Sequence, residues 1–209
     1  MSRRYPHRDP PFPPSHYLVI DLEATCDDTD WPRDEAEIIE IGAVLVDAAT
    51  LAETTAFQSY VRPVRRPRLT PFCTALTTIT QAQVDAAPLY LDALAALRHA
   101  ITAAPRPVFC SWGSFDERLF QAESARREVP HPFEGHWNLK SAFSARARTR
   151  RRYGLKAALD RAGLTFEGTH HRGLDDARNV ARLLPWCLGL RPIPKAKAET
   201  TDPTPTAAT

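Results

Sequence analysis

Between Tyr17 and Val61 three β-rich runs follow one another across connections too short for crossover helices, and that spacing commits the start of the chain to an antiparallel meander. The first run, Tyr17-Leu18-Val19-Ile20-Asp21-Leu22-Glu23, ends on two acids. The second covers Ile38 to Val46, turns at Asp47 to Thr50, and gives way to a third from Thr55 to Val61. Downstream the pattern changes. After a short helix at about Gln81 to Val84, apolar residues recur near helical spacing from Leu89 to Ile101. A buried strand, Val108 to Ser111, leads through a Gly-bearing turn into a helix from about Asp116 to Arg127. A short strand or loop lies around Trp137 to Leu139, and helices Leu155 to Ala162 and Ala177 to Leu184 complete the layer. This order predicts an α/β fold whose mixed sheet joins a three-stranded antiparallel meander to parallel strands, flanked by helices.

The hydrophobic content of 43% in 209 residues supports one domain with a real core, placed at 16–192. Residues 1–15 hold five prolines and three arginines, and 193–209 is rich in Lys, Thr, Pro and Ala. Neither tail can bury enough surface to offset its chain entropy, so both are expected to be disordered. No apolar run approaches the ~20 residues of a membrane span, and the N-terminus lacks an apolar signal core. A soluble, cytoplasmic protein without a membrane partner is the expectation. Its four cysteines, Cys26, Cys73, Cys110 and Cys187, form no CxxC pair and suggest neither a zinc site nor a disulfide framework.

Three distant segments carry acids. On a strand alternate side chains share a face, so Asp21 and Glu23 point together while Leu22 enters the opposite layer. Two adjacent carboxylates raise each other's pKa unless a cation lies between them, and hard ions such as Mg²⁺ or Mn²⁺ take oxygen ligands. The ordinary alternative is a strand running out into the acidic loop Asp27 to Asp34. In the second segment, Asp116 sits in the first turn of a helix at the C-terminal edge of a sheet, where a capping role alone would also explain it.

The third segment, His170-His171-Arg172-Gly173-Leu174-Asp175-Asp176, enters an amphipathic helix. Asp176 shares the stripe of Val180, Leu183 and Leu184 and faces the core, whereas Asp175 falls on the solvated side and reads as a cap. An unpaired buried charge costs several kcal/mol, which a metal or a satisfied salt bridge would offset. His171 lies close enough in sequence to bring its ring beside Asp176, and a histidine near neutral pKa is a competent general base. His170, His131 and His136 read as loop histidines bonded to backbone.

The set Asp21, Glu23, Asp116, His171 and Asp176, in this order, resembles the DEDDh 3′-to-5′ exonucleases of the ribonuclease-H-like superfamily. The stretches Asp21-Leu22-Glu23-Ala24-Thr25-Cys26, Glu37 to Val44, Phe72 to Gln81, Ser111 to Asp116 and His171 to Asp176 narrow the likeness. They resemble the Eri-type branch, which includes the histone-mRNA 3′-end exonuclease and bacterial sporulation-kinase-inhibitor relatives. Five segments in the right order are far more specific than any one. The resemblance implies two divalent cations, Mg²⁺ or Mn²⁺, held by Asp21, Glu23, Asp116 and Asp176, with His171 taking the proton from the attacking water. The substrate would be the 3′ end of single-stranded RNA or DNA, RNA favoured, released as nucleoside 5′-monophosphates. The terminal nucleotide would rest on the backbone near Leu22, Ala24 and Thr25, with Leu76 and Ile79 wedged against its base and Trp112 or Phe115 stacking; core packing is the alternative for Leu76, Ile79 and Trp112.

The N-terminal region is too short for a SAP-like or other RNA-targeting module, so none is expected ahead of the catalytic residues, and a preference for one structured RNA is not expected to carry over from the likeness. Other readings keep the same residues: a DNA exonuclease of proofreading or repair type, a regulatory or interaction module that retains the fold, or a metal-independent nucleic-acid binder. The net charge of +2 does not by itself mark a nucleic-acid partner. The cluster Arg146, Arg148, Arg150, Arg151, Arg152 and Lys156 could hold phosphates without reading sequence. Arg62 to Arg68, a second basic stretch interrupted by prolines, reads as a rigid loop.

Overall fold

The computed structural model describes residues 9–29, 35–104 and 106–194. The meander forms as the spacing requires: β1 (His16–Ala24), β2 (Ile38–Asp47) and β3 (Glu53–Tyr60) pair antiparallel. The strands β4 (Val108–Ser111) and β5 (His136–Asn138) then add in parallel to the far side of β1, giving the order β3-β2-β1-β4-β5. Between β3 and β4 run α1 (Pro71–Thr77), α2 (Gln81–Asp85) and α3 (Tyr90–Ala100), and α4 (Phe115–Arg126) joins β4 to β5. After β5 come α5 (Leu139–Arg146), α6 (Leu155–Ala162), α7 (Gly173–Arg182) and α8 (Leu184–Cys187).

The two-residue period of β1 divides the core into two layers. Leu18, Ile20 and Leu22 pack with Leu94 and Leu97 of α3 and with Leu119 and Phe120 of α4. Tyr17 and Val19 face the other way, toward Phe143 of α5, Leu159 of α6 and Val180 of α7. By the same alternation, Asp21 and Glu23 continue the Tyr17 and Val19 face and end under α7.

The helix α7 approaches the sheet with no side-chain layer between them. A Cβ on Gly42 of β2 would lie 1.9 Å from the carbonyl carbon of Gly173, and a Cβ on Gly173 would lie 2.9 Å from the Gly42 nitrogen. Only glycine at both positions permits this contact. The approach also explains why α7 starts at Gly173 rather than at Ala177: the Gly173 N–H, an open donor of the first helical turn, donates to Glu40 Oε2 across the sheet at 3.2 Å.

Two helices arise from caps rather than from apolar periodicity. Thr70 accepts from the Cys73 N–H with Pro71 opening α1, and Asn138 accepts from the Ser141 N–H to start α5. Residues 9–15 lead into β1, with Phe12 packed against the core and Asp9 paired with Arg146. The remainder of the expected tails, 1–8 and 195–209, and most of the acidic loop, 30–34, lie outside the described residues. Among the described residues no helix is long and apolar enough to cross a membrane.

Candidate active site

The C-terminal ends of β1 and β4, the start of α7 and one face of α1 enclose a cleft of about 570 Å³. On its floor Asp21, Glu23 and Asp176 bring carboxylate oxygens within 4.8 Å of one another. Three acids this close, Glu23 and Asp176 buried and Asp21 partly so, raise one another's proton affinity. Burial pushes Asp21 well above the usual carboxylate range, and the charges of Asp116, Asp176, Glu23 and Glu40 push it further. Glu23 is pushed up to about 8, first by burial and then by Asp176, Glu40 and Asp116. A cation seated among the oxygens would remove that conflict, and an all-oxygen donor set suits a hard divalent ion. The three residues therefore fit such a metal.

Asp116 stands one step outside this trio. Its Oδ1 accepts the Leu22 N–H at 3.0 Å, tying α4 to the backbone between Asp21 and Glu23. Burial raises it to about 6, opposed by that hydrogen bond, by one from Ser111 and by the charge of Lys140. It lines the cleft with the other acids.

The histidines require a correction. The ring expected beside Asp176 was that of His171, with His170 bonded to backbone. Instead His170 Nδ1 lies 2.9 Å from Asp176 Oδ1, and His171 reaches Asp176 through its main chain, donating its N–H to Oδ2 at 2.7 Å. His171 has φ of 61°, a left-handed conformation that turns the chain so that this N–H faces the carboxylate. The two rings stack with centroids 4.0 Å apart, and both line the cleft. Burial and the neighbouring His170 lower the His171 pKa, with Asp176 acting in the opposite sense. Asp175 does not cap α7 as expected: it lies inside the helix, whose N-cap is Arg172 with no side-chain cap bond, and its Oδ2 accepts the Thr169 N–H of the preceding loop at 2.8 Å.

The residues expected around a nucleotide are only partly brought together. Leu22, Ala24, Thr25, Leu76, Trp112 and Phe115 line the cleft. Leu76 and Phe115 are 37% and 41% exposed, as a binding lip requires. Ile79 is 0% exposed and packs with Ile39, Cys73 and Val84, so it supports α1 from beneath and is not available as a wedge. Trp112 is held within the wall: its Nε1 donates to the Tyr153 carbonyl at 3.1 Å and its ring meets Phe143 edge-on. The Thr25 hydroxyl accepts from the Glu37 N–H at 3.0 Å and fixes the end of β1.

Two functional neighbours escaped the sequence reading. Phe72 lies one helical turn before Leu76 on α1 and extends the same lip. Glu40 is fully buried opposite Glu23 in the β1/β2 register. Its Oε1 accepts from Gln58 at 2.9 Å and lies 3.5 Å from Arg172 Nη2, which also donates to Tyr60 Oη at 2.6 Å. An acid inside the apolar run Ile38 to Val46 is the same anomaly that singled out Asp176, and it could have been found that way.

Residues 18–184 match the family RNase_T, described as Exonuclease. The chain is 31% identical over 198 residues to the 3′-5′ exonuclease eri1 of Schizosaccharomyces pombe, covering 81% of this chain and 66% of that protein. It is 34% identical over 190 residues to the 3′-5′ exoribonuclease 1 of Homo sapiens, covering 82% and 53%. Against several curated relatives the chain thus spans between about a third and about two thirds of their length. Among solved structures, it is similar to the nuclease domain of 3′hExo, a DEDDh family member, bound to rAMP. The TM-score is 0.78 at 30% identity, covering 84% of this chain and 92% of that one.

Proposed function

The chain belongs to the RNase_T exonuclease family, and from that premise we propose that it is a metal-dependent 3′-to-5′ exonuclease acting on the 3′ end of single-stranded nucleic acid, RNA in preference to DNA. The observation that carries this reading is the convergence of Asp21, Glu23 and Asp176 within 4.8 Å at the floor of a cleft with an apolar lip. The preference for RNA rests on relatives named exoribonucleases.

In this reading Asp21, Glu23 and Asp176 would hold one divalent cation, Mg²⁺ or Mn²⁺, and Asp21 with Asp116 would serve a second. Such ions lower the pKa of water and offset charge on the oxygens of an in-line displacement. The protein supplies the rest. His171, whose pKa is lowered by burial and by His170, takes the proton from the water that attacks the phosphorus. The bond from phosphorus to the 3′ oxygen of the preceding nucleotide breaks, that oxygen takes a proton from solvent water, and the terminal nucleotide leaves as a 5′-monophosphate. Phe72, Leu76 and Phe115 give its base an apolar, sequence-tolerant wall, while the backbone of Leu22 to Thr25 positions the sugar.

The test is a gel time course on 5′-labelled and 3′-labelled single strands of RNA and DNA with Mg²⁺, Mn²⁺ or EDTA, run beside Asp21→Ala. A ladder shortening from the 3′ end, absent with EDTA and in the variant, is expected. Absence of cleavage under every condition would overturn the reading in favour of an interaction module that retains the fold.

A further inference from the structure

The basic segment from Arg146 to Lys156 is divided by the fold. Arg146 turns away from the cleft, donating to the Cys187 carbonyl at 3.1 Å and to Asp9 at 2.8 Å. The other end of the segment is fastened to the cleft wall. Trp112 Nε1 binds the Tyr153 carbonyl, and both Trp112 and Leu155 line the cleft. Next to Leu155, the Lys156 ammonium lies 5.9 Å from the centre of the Phe166 ring, which packs at 5.2 Å on His170, itself stacked on His171.

The half-buried Lys140, in the first turn of α5, approaches Gly113, where a Cβ would lie 3.8 Å from its Nζ. Gly113 sits in the turn between Trp112 and Asp116. Arg152 adjoins Tyr153, whose carbonyl accepts the Trp112 Nε1 bond, and its charge, after burial, lowers the proton affinity of Lys140, with Asp116 acting in the opposite sense. Among the described residues Lys140, Arg152 and Lys156 take part in no ion pair, whereas Arg126, Arg127, Arg146, Arg172, Arg178 and Arg182 each have a carboxylate. Cations beside a cleft that are held in no ion pair lower the potential energy of an anion there.

We propose that Lys140, Arg152 and Lys156 form a phosphate track that holds the backbone of the nucleic-acid strand immediately 5′ of the scissile bond. The inference rests on the exonuclease reading and narrows its substrate class to oligonucleotides of several residues. Contacts to phosphates carry no base information, so the track grips any sequence.

The experiment measures binding of a 5′-fluorescein single-stranded RNA octamer by anisotropy, in EDTA and across a KCl series. It compares the full chain with Arg152→Gln/Lys156→Gln and with Arg146→Gln. The double variant is expected to bind about tenfold more weakly, with a salt slope shallower by about 1.4, two contacts at ~0.7 each. Arg146→Gln removes a charge from the same segment and should match the parent. Equal affinity and slope in the double variant, or an equal loss in Arg146→Gln, would overturn the track. In Mg²⁺ the double variant should raise the oligonucleotide KM more than it lowers kcat; a loss confined to kcat would count against it. Binding in EDTA needs no turnover, so binding that depends on these cations without any cleavage in the time course would sink the exonuclease reading, and with it the track's place beside a scissile bond, while a failure of the track would leave cleavage intact.

Discussion

Asp176 is oriented by the main chain of His171: the N–H five residues earlier donates to its Oδ2 at 2.7 Å, while the His171 ring stands free of that bond. The residue proposed as general base therefore also aligns a proposed metal ligand, through a different part of itself.

Substitution at the two histidines should separate those roles. His171→Ala keeps the N–H and loses the imidazole, so kcat should fall by about 10²- to 10⁴-fold with the apparent cation affinity little changed. His170→Ala removes the ring 2.9 Å from Asp176 Oδ1 and should weaken cation binding, with activity recovering as Mg²⁺ is raised. Steady-state kinetics across a Mg²⁺ titration would check both. A rise in the Mg²⁺ requirement of His171→Ala alone would reverse the assignment.

The pH dependence of kcat follows from the direction of the His171 shift. Burial and His170 hold its pKa below the ordinary value, so the neutral, proton-accepting form persists to lower pH than in a free histidine. Activity should be level above about 6.5 and decline only below it. A profile measured from pH 5 to 8.5 with saturating cation that stays flat would remove His171 as the base.

Without cations the acid cluster should make stability pH-dependent in the opposite sense to ordinary acid denaturation. Glu23 is raised to about 8 and Asp116 to about 6, so the folded chain binds protons more tightly at these groups than the unfolded chain does. The resulting stabilisation is complete below the ordinary carboxylate pKa and is lost as pH rises through about 6 to 8. In EDTA the melting temperature should drop between pH 5.5 and 8.5. Mg²⁺ or Mn²⁺ should restore it, with the largest gain at the alkaline end. Equal cation stabilisation at both pH values would contradict the cluster's electrostatics.

Gly42→Ala tests the backbone contact under α7. The added carbon would meet the Gly173 carbonyl carbon at 1.9 Å, a clash that no rotamer relieves. Destabilisation at or beyond the upper end of ~1–3 kcal/mol is expected, and the fraction that folds should lose about 10²-fold in kcat because Asp176 moves off the other acids. Denaturant melts and kinetics at a temperature below the transition would report the two effects separately. Wild-type values in both would show that α7 is free to shift.

What could be read from the residues is what obeys short periods. Asp21 and Glu23 follow from the two-residue repeat of a strand, and Asp176 from the apolar stripe of its helix. Asp116 follows from a strand, turn and helix in succession. The misses lie where a neighbour distant in sequence decides. His170 and His171 are adjacent, and only the left-handed turn at His171 determines which ring meets Asp176. Ile79 reads like Leu76 until β2 supplies Ile39 to bury it. The helix α1 is too short to establish a stripe, and α5 buries Leu139, Ala142, Phe143, Ser144 and Ala145 on no single stripe, although the Thr70 and Asn138 caps were present to be used. Within the basic segment, nothing local separates Arg146 from Lys156; the partners that do so are Asp9 and Phe166.

Where Gly42 meets Gly173, main chain rests on main chain. Side-chain layers compress and repack when cores change, whereas a contact between two backbones has almost no volume to vary. The distance from Asp176 to Asp21 and Glu23 is thereby insulated from the composition of both core layers. Homologous chains could replace most of their apolar residues, and an engineer could redesign either layer for stability, while the spacing on which the chemistry depends stayed the same.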